Sequence, residues 1–168
     1  MSLEIIKYPN PILRLKSKKI KKKDILKKKT QELIKQMVET LEKVKGAGLA
    51  APQIGKSIKL ILVRNYDEIN DNAFCNTYYN KNCKILILIN PKIINKSWKK
   101  EIEKEGCLSI YKNSNLIFGL VKRSKKITIK TLDKNGEKIS FKAENLLARI
   151  IQHEVDHLNG ILFIDKTI

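Results

Sequence analysis

The chain has only two histidines, His153 and His157, in 168 residues. Any site built on imidazole must use one or both of them. Cysteine is nearly as scarce. Cys75, Cys83 and Cys107 are odd in number and lack disulfide-framework spacing, which excludes a disulfide-stapled fold and points to a reduced, cytoplasmic protein. No apolar run approaches the length of a membrane span, so no membrane partner is expected. The N-terminal "MSLEIIKYPNPIL" lacks an apolar h-region and a small-residue cleavage pattern, so no signal peptide is expected. Arginine is limited to Arg14, Arg64, Arg123 and Arg149, although the net charge is +18. The positive charge is therefore nearly all lysine. Arginine is the commoner tool for bidentate base and phosphate recognition, so its scarcity argues against a specific nucleic-acid site. The lysines spread over the whole chain apart from the run Lys16 to Lys29, as a solvated surface would have them. Weak, non-specific attraction to RNA is compatible with that surface.

A chain of this length is expected to form one domain, 1–168, with a single core. An apolar content of 42% suits a globular protein. Asp24 to Lys45 reads as a helix, because Leu33, Ile34, Met37, Val38, Leu41 and Val44 recur at helical spacing. Gly46 is placed to stop it. Ile58 to Arg64 and Lys84 to Asn90 are apolar and β-branched, and read as strands. The polar insert between them, Asn65 to Cys83, is expected as a long surface loop or extended hairpin. "KITIKTL" and "KISFKA" alternate apolar with polar residues, and Asn135-Gly136 between them is a hairpin signal. Glu144 to Leu158 reads as a helix that stops at Asn159-Gly160.

On that last helix His153 and His157 stand four apart, so both imidazoles share one face. His153-Glu154-x-x-His157 is the H-E-x-x-H pattern: two imidazoles can hold one metal ion while the glutamate acts on water. The same spacing also suits two histidines on an ordinary polar face. Here the face continues through Leu146, Arg149 and Ile150, and Leu147, Ile151, Val155 and Leu158 form an adjoining apolar stripe. The helix is thus expected to be buried, and buried histidines beside a buried glutamate need partners, which a divalent metal supplies. A catalytic ion needs a third protein ligand. Only eleven residues follow His157 (168 − 157), and Phe163 stands where a metzincin would have its third histidine. The third ligand must come from upstream, as a cysteine or a carboxylate. Cys107, in "EKEGCLSI", is the best candidate, although single cysteines are as often small buried apolar residues. The expected class is α+β: antiparallel strands packed around a C-terminal metal-binding helix, with one N-terminal helix.

Three segments together resemble the peptide deformylases. "GAGLAAPQ" (Gly46 to Gln53) is similar to the family's first motif, "EGCLS" (Glu105 to Ser109) to its second and "QHEVDHLNG" (Gln152 to Gly160) to its third. They occur in the family's order, and "EIIKYPNPILR" resembles its N-terminal lead. The resemblance implies hydrolysis of the N-formyl group from the formyl-methionine of newly made polypeptides, with release of formate. It implies that Cys107, His153 and His157 hold one metal ion and that Glu154 is the catalytic acid/base. It also implies that the Gln53 amide and the Leu108 backbone N–H polarise the substrate carbonyl, and that Gly48 offers its backbone to the peptide. Leu146 and Ile150 are expected to line the methionine pocket. The family's usual ion is iron(II), with zinc, nickel or cobalt able to replace it; softness alone admits both iron and zinc for a Cys-His₂ site. Beyond the nascent formyl-methionine polypeptide, a weak electrostatic association with the ribosome is compatible with the lysine surface.

The chain also departs from the family pattern. Tyr111 follows "EGCLSI" where a proline is usual, the run from there to the V-x-R at Val121-Lys122-Arg123 is a few residues longer, and no residue before Arg123 matches an arginine often found in that run. These changes and the 65–83 insert leave the preferences beyond the first substrate residue open. The rival readings are a small metallo-amidase or peptidase of other specificity and a basic module that binds RNA or ribosomes.

Overall fold

The computed structural model describes residues 2–66 and 84–168. Most of the polar insert expected at 65–83, with Cys75 and Cys83, lies outside the described residues. A 3-10 turn (Pro11–Arg14) is followed by helices α1 (Lys22–Ile25) and α2 (Lys28–Lys43). Strand β1 (Gly48–Ala50), a 3-10 turn (Ala51–Ile54) and strands β2 (Leu60–Asn65) and β3 (Lys84–Lys96) come next. Strands β4 (Lys100–Lys112), β5 (Asn115–Ser124), β6 (Lys126–Leu132) and β7 (Lys138–Glu144) lead into helix α3 (Asn145–His157). Strands β1, β2, β3, β6 and β7 form one antiparallel sheet in that order, and β4 and β5 form a separate antiparallel hairpin. Strands of both sheets contact α3, so the class is the expected α+β.

Strand β2 explains why its sequence shows no polar alternation. Ile61 and Val63 join Ala148 and Ile151 of α3 in one core, while Leu60 and Leu62 join Met37 and Leu41 of α2 in a second. The sheet is covered on both faces at this point, and a strand buried on both faces reads as a continuous apolar run. Strands β6 and β7 match the two alternating segments, and Gly136 makes the turn between them at φ 81°.

The early helix differs from the expectation of one span from Asp24 to Lys45. It is broken at Leu26 and Lys27, because side chains take the carbonyls at the break. Thr30 Oγ1 donates to Asp24 O (2.7 Å) and Gln31 Nε2 to Ile25 O (2.8 Å), so α2 starts afresh at Lys28. Its end also differs. Lys45, at φ 52°, makes the left-handed turn expected of Gly46, and the Gly46 N–H closes on Leu41 O at 3.3 Å. The hairpin β4–β5 accounts for the long 110–123 segment: Asn113 and Ser114 both have positive φ (50° and 64°), the geometry of a tight two-residue hairpin turn. No helix among the described residues is long and apolar enough to cross a membrane.

The end of α3 is fixed by a Schellman motif. Ile161 N donates to Asp156 O (3.0 Å) and Gly160 N to His157 O (3.2 Å), with Gly160 at φ 71°. A Cβ on residue 160 would lie 2.2 Å from Arg14 O, a backbone atom with little room to move. Gly160→Ala is therefore expected to cost about 2 kcal/mol or more through left-handed strain and the clash. Thermal unfolding should show a midpoint lowered by at least about 5 °C; an unchanged midpoint would refute the account.

Candidate active site

Helix α3 presents its residues to the interior on nearly every side: Leu147, Ala148, Arg149, Ile150, Ile151, Gln152, Glu154 and His157 are all buried. Gln152 ties it to the end of β5, accepting from Ser124 N (3.3 Å) and donating to Ser124 O (2.9 Å). The two imidazoles lie on one face as the spacing required, with ring centroids 5.1 Å apart.

Cys107 reaches them because β4 leaves its ladder. Gly106 pairs with Phe118 and Tyr111 with Leu116, so Cys107 to Ile110 stand opposite Ile117 alone. Such a bulge re-aims side chains next to a site. It turns the Cys107 sulfur towards α3, 3.2 Å from His157 Nε2, and leaves the Leu108 N–H without a partner in the β5 ladder. Cys107 Sγ and one nitrogen of each histidine all lie within 4.8 Å of one another. Ligand atoms around a tetrahedral ion, at bonds of about 2.0–2.3 Å, stand about 3.5 Å apart, so these donors fit one ion.

Their electrostatics fit as well. Burial, helped by His153 and Arg123, pushes His157 well below the usual histidine range, so its ring is neutral. Burial also opposes charge on His153, but the Cys107 sulfur, Glu105 and Glu154 outweigh it and hold that ring's pKa up to about 10. The pocket therefore favours positive charge at His153, and a bound cation is the other way to supply it. Glu154 is pushed up to about 7 by burial, against the pull of His153 and Arg123. Its Oε2 is a buried acceptor without a protein partner.

The orientation of His153 depends on residues that the sequence reading did not assign. His153 Nδ1 lies 3.1 Å from Glu105 Oε2, which leaves Nε2 for a cation. Glu105 is itself gripped by Arg123, whose Nε and Nη2 each donate at 2.9 Å, and by Arg149 Nη1 at 2.6 Å. Arg123 also pairs with Asp156, which takes Lys166 Nζ at 2.7 Å. Burial alone would raise Glu105, but Arg123 and His153 outweigh it and hold the carboxylate well below its usual range. The available signal was compositional. A chain that places lysine almost everywhere, yet keeps arginine at 123 and 149, has a use there for a planar fork of donors.

The first motif meets the second through the N-terminal segment. Ile6 N donates to Gln53 O (2.7 Å), Tyr8 N to Ser109 O (2.8 Å) and Lys7 Nζ to Leu108 O (2.7 Å). The Gln53 side chain is oriented by Ala50 N, which donates to its Oε1 at 2.8 Å. Its Nε2 then points to Ser109 Oγ (3.2 Å) and Cys107 Sγ (3.5 Å). Gly48 lies on the outer strand of the sheet, directly beneath Glu154. A Cβ there would come within 2.5 Å of the Glu154 Oε1.

These parts surround a cleft of ≈ 290 Å³. Gly48, Gln53, Cys107 and Leu108 line one side, and Leu146, Ile150, His153 and Glu154 the other. Only His157, of the residues predicted from sequence, is hidden behind the wall, at 1% exposure. A thiol and two imidazoles beside a buried carboxylate, at the foot of an open cleft, are the parts of a metal-dependent hydrolase.

The polypeptide deformylase family profile matches residues 2–168. A peptide deformylase of Halothermothrix orenii is 41% identical over 166 residues, covering 99% of this chain and 94% of the relative. The class I type b peptide deformylase of Acinetobacter baumannii, solved with Met-Ala-Ser bound, superposes with a TM-score of 0.84 at 30% identity over 99% of this chain and 98% of that one. The peptide deformylase of Thermotoga maritima gives 0.82 at 32% identity, covering 100% and 99%. The chain belongs to the polypeptide deformylase family, hydrolases that remove the N-formyl group from the formyl-methionine of newly made polypeptides.

Gly48 generates a sharp test. Gly48→Ala must push the Glu154 carboxylate aside, and a displacement of about 1 Å can cost on the order of a hundredfold in rate. Turnover of a formyl-methionine peptide should fall by that order while the unfolding midpoint changes little. Retention of more than half the wild-type rate would show that the Glu154 position is not critical.

Proposed function

We propose that residues 1–168 act as one catalytic domain in which Cys107, His153 and His157 hold a single divalent ion and Glu154 moves the proton of deformylation. The observation that carries this reading is the convergence of those three donors within 4.8 Å, beside the buried Glu154 carboxyl. When bound there, a divalent ion supplies Lewis acidity and lowers the pKa of a coordinated water from about 15.7 towards about 7.

The chain's own residues supply the rest. Glu154 takes the proton of the attacking water and returns it to the leaving amine, a role open to a buried carboxyl whose Oε2 has no protein partner. The Gln53 Nε2, now spending its weakest contact on Cys107 Sγ at 3.5 Å, is free to donate to the developing oxyanion. The Leu108 N–H, left out of the ladder by the bulge, is the second donor; loss of one such donor typically costs about 3–4 kcal/mol. Gly48 offers its backbone on the open edge of β1, where an extended peptide can add as a strand. Leu146 and Ile150 receive the methionine side chain. The Acinetobacter baumannii structure holds Met-Ala-Ser, and we carry that mode of peptide engagement over to this cleft.

Iron(II) is the ion we favour, from the family resemblance; zinc, nickel or cobalt would satisfy the same donors. A cytoplasmic setting follows from the reduced cysteine chemistry. A weak ribosome association rests on the lysine surface alone.

Two substitutions separate the proposed roles. Glu154→Gln should keep stoichiometric metal and lose most turnover, because glutamine preserves shape and cannot carry the proton. Cys107→Ala should lose both. Metal content measured on protein purified without oxygen, alongside formate release, decides this. Loss of metal from Glu154→Gln, or full metal in Cys107→Ala, would overturn the assignment.

Selectivity at the carbonyl is the second test. The Gln53 amide and the Cys107-Leu108 backbone converge where the carbonyl must lie, which leaves little room for a methyl group. Formyl-Met peptides should be cleaved at least on the order of a hundredfold faster than acetyl-Met peptides. Comparable rates would favour a general metallo-amidase.

A further inference from the structure

Helix α3 covers one face of the large sheet; lysine dominates the other. Ile127 and Ile129 of β6 pack into the core beneath α3, so Lys130, one residue on, points the opposite way. Lys92 of β3 stands directly opposite Lys130 in the ladder, Lys138 of β7 opposite Leu132 and Lys142 opposite Thr128, so these lysines share the outer face. Lys92, Lys130 and Lys138, with Lys19 and Lys59 alongside, line a depression of ≈ 750 Å³. Among the described residues no acidic side chain lines it, and none of these five ammonium groups has an ion-pair partner. Like charges directly opposite each other on a ladder destabilise a sheet. An isolated surface lysine needs no explanation, but five unpaired ones around one concavity make a field for an anion.

The lysine face is elongated and ends on an aromatic side chain. Along β7, Lys138 and Lys142 stand about 13 Å apart. Beyond the first depression lies a second, lined by Lys96, Ser97, Lys126 and Lys142; its one acidic residue, Glu144, is paired with Lys126 at 2.9 Å. The residue after Ser97, Trp98, is the chain's only tryptophan and is 99% exposed. Its turn is pinned to the start of β6: Ser97 N donates to Lys126 O (2.9 Å), Lys126 N to Ser97 Oγ (3.0 Å) and Lys125 N to Lys99 O (2.9 Å). Tryptophan is seldom left bare at a surface, and here a fixed turn holds it out at the end of the lysine track.

A long track of point charges suits a chain of phosphates better than one small anion. Lysines neutralise phosphates and position a strand without reading its base edges. An exposed aromatic ring at one end gives an unpaired base a platform to stack on, whatever its identity. A bilayer surface also attracts lysine and tryptophan, but it is flat, and these lysines surround a concavity that a single strand can enter. RNA is the nucleic acid present where newly made polypeptides arise. We infer that the outer face of β3, β6 and β7 binds single-stranded RNA without sequence preference, with phosphates along the lysine track and one base on Trp98. The active cleft lies on the α3 side of the sheet, so both sites can be occupied together.

The test titrates the intact protein with oligouridine, followed by Trp98 fluorescence and by the anisotropy of a labelled strand. Binding at about 50 mM salt should quench Trp98 and weaken steeply as salt is raised. Lys92→Gln, Lys130→Gln and Lys138→Gln together should lower the slope of log Kd against log salt by about 2, at ~0.7 for each lost single-strand contact. Lys16→Gln, Lys112→Gln and Lys122→Gln together, at exposed positions outside the track, should leave the slope unchanged. Trp98→Ala should weaken binding by about fivefold to a hundredfold, the range of one stacked base, and Trp98→Phe should keep most of it. All these positions are exposed, so the fold is preserved. Turnover of a formyl-Met peptide should match wild type in every variant and with oligouridine bound. Absence of binding at low salt, equal losses in the two lysine variants, or equal affinity for an RNA duplex overturns the inference. So does inhibition of turnover by oligouridine, which would put the strand in the cleft. A blue shift of Trp98 on vesicles of anionic phospholipid, without quenching by oligouridine, would assign the face to a lipid surface instead.

Discussion

Glu105 is a carboxylate held between two buried guanidiniums and an imidazole. Its position is the constraint on which the rest of the site depends. The hairpin β4–β5 shares no ladder with the five-stranded sheet. Glu105 comes from β4, Arg123 from β5, and Arg149, His153 and Asp156 from α3, so one cluster of charge fastens the separate hairpin to the helix. Buried charges of this kind are poor value as stability. Their desolvation offsets most of the mutual attraction, while removal of one partner costs about 3–5 kcal/mol by stranding the others. What the cluster contributes is position. It sets the His153 ring by its Nδ1 and holds the hairpin at the height from which the bulge can swing Cys107 across to His157. The apolar contacts of Ile110, Val121, Leu162 and Phe163 then fill the space behind.

The same cluster gives the charge composition a structural meaning. The +18 net charge is carried on lysine, while every arginine is tied to a partner within the chain, three of them buried. Arg14 pairs with Asp165 near the end of the chain. Arg64 is buried, and its Nε donates to Gly46 O at 2.9 Å, so it fixes the loop that leads into the first motif. Arg123 and Arg149 hold Glu105. A planar donor fork that cannot lose its charge suits such places, whereas a lysine would offer a point charge without the second bond.

How much was legible in the sequence follows from how local each feature is. The histidine pair, the stop at Gly160 and the turn at Gly136 depend on residues a few positions apart, and all three stand where the pattern put them. Strand β2 was legible because burial on both faces leaves an unbroken apolar run. The break between α1 and α2 was not, since helical periodicity carries no sign that Thr30 and Gln31 would take the carbonyls of Asp24 and Ile25. The hairpin β4–β5 was missed for a similar reason. Its exposed face is apolar and its edge is interrupted by the bulge, so the period of two is lost where it matters. The Glu105 cluster joins residues 18 and 44 positions apart, and no spacing rule reaches that far. Elimination reached Cys107 at such range, because the histidine pair demanded a third donor and few candidates existed; Gly48, Gln53 and Leu108 came only through the family resemblance.

The glycines show the same limit from another side. Read from sequence, Gly46 and Gly48 leave the backbone with no side chain in the way, which suits it to gripping an extended peptide. Neither has a positive φ, and neither does Gly106; the glycines that do are Gly55, Gly136 and Gly160. The three cleft glycines are instead sites of close approach. Each lies under a side chain that faces the cleft: Leu108 over Gly46, Glu154 over Gly48 and Phe118 over Gly106. The missing Cβ is what lets these chains settle against backbone, where rotamer freedom is small and position is sharp. Motif and partner are thus one unit although they lie up to about a hundred residues apart, for Gly48 and Glu154 meet only when β1 and α3 are packed. A methyl group at any of the three would leave the sheet, the helix and the hairpin able to form while moving a working side chain. The glycines of the cleft are therefore held in place by the geometry of the chemistry rather than by the needs of the chain that carries them.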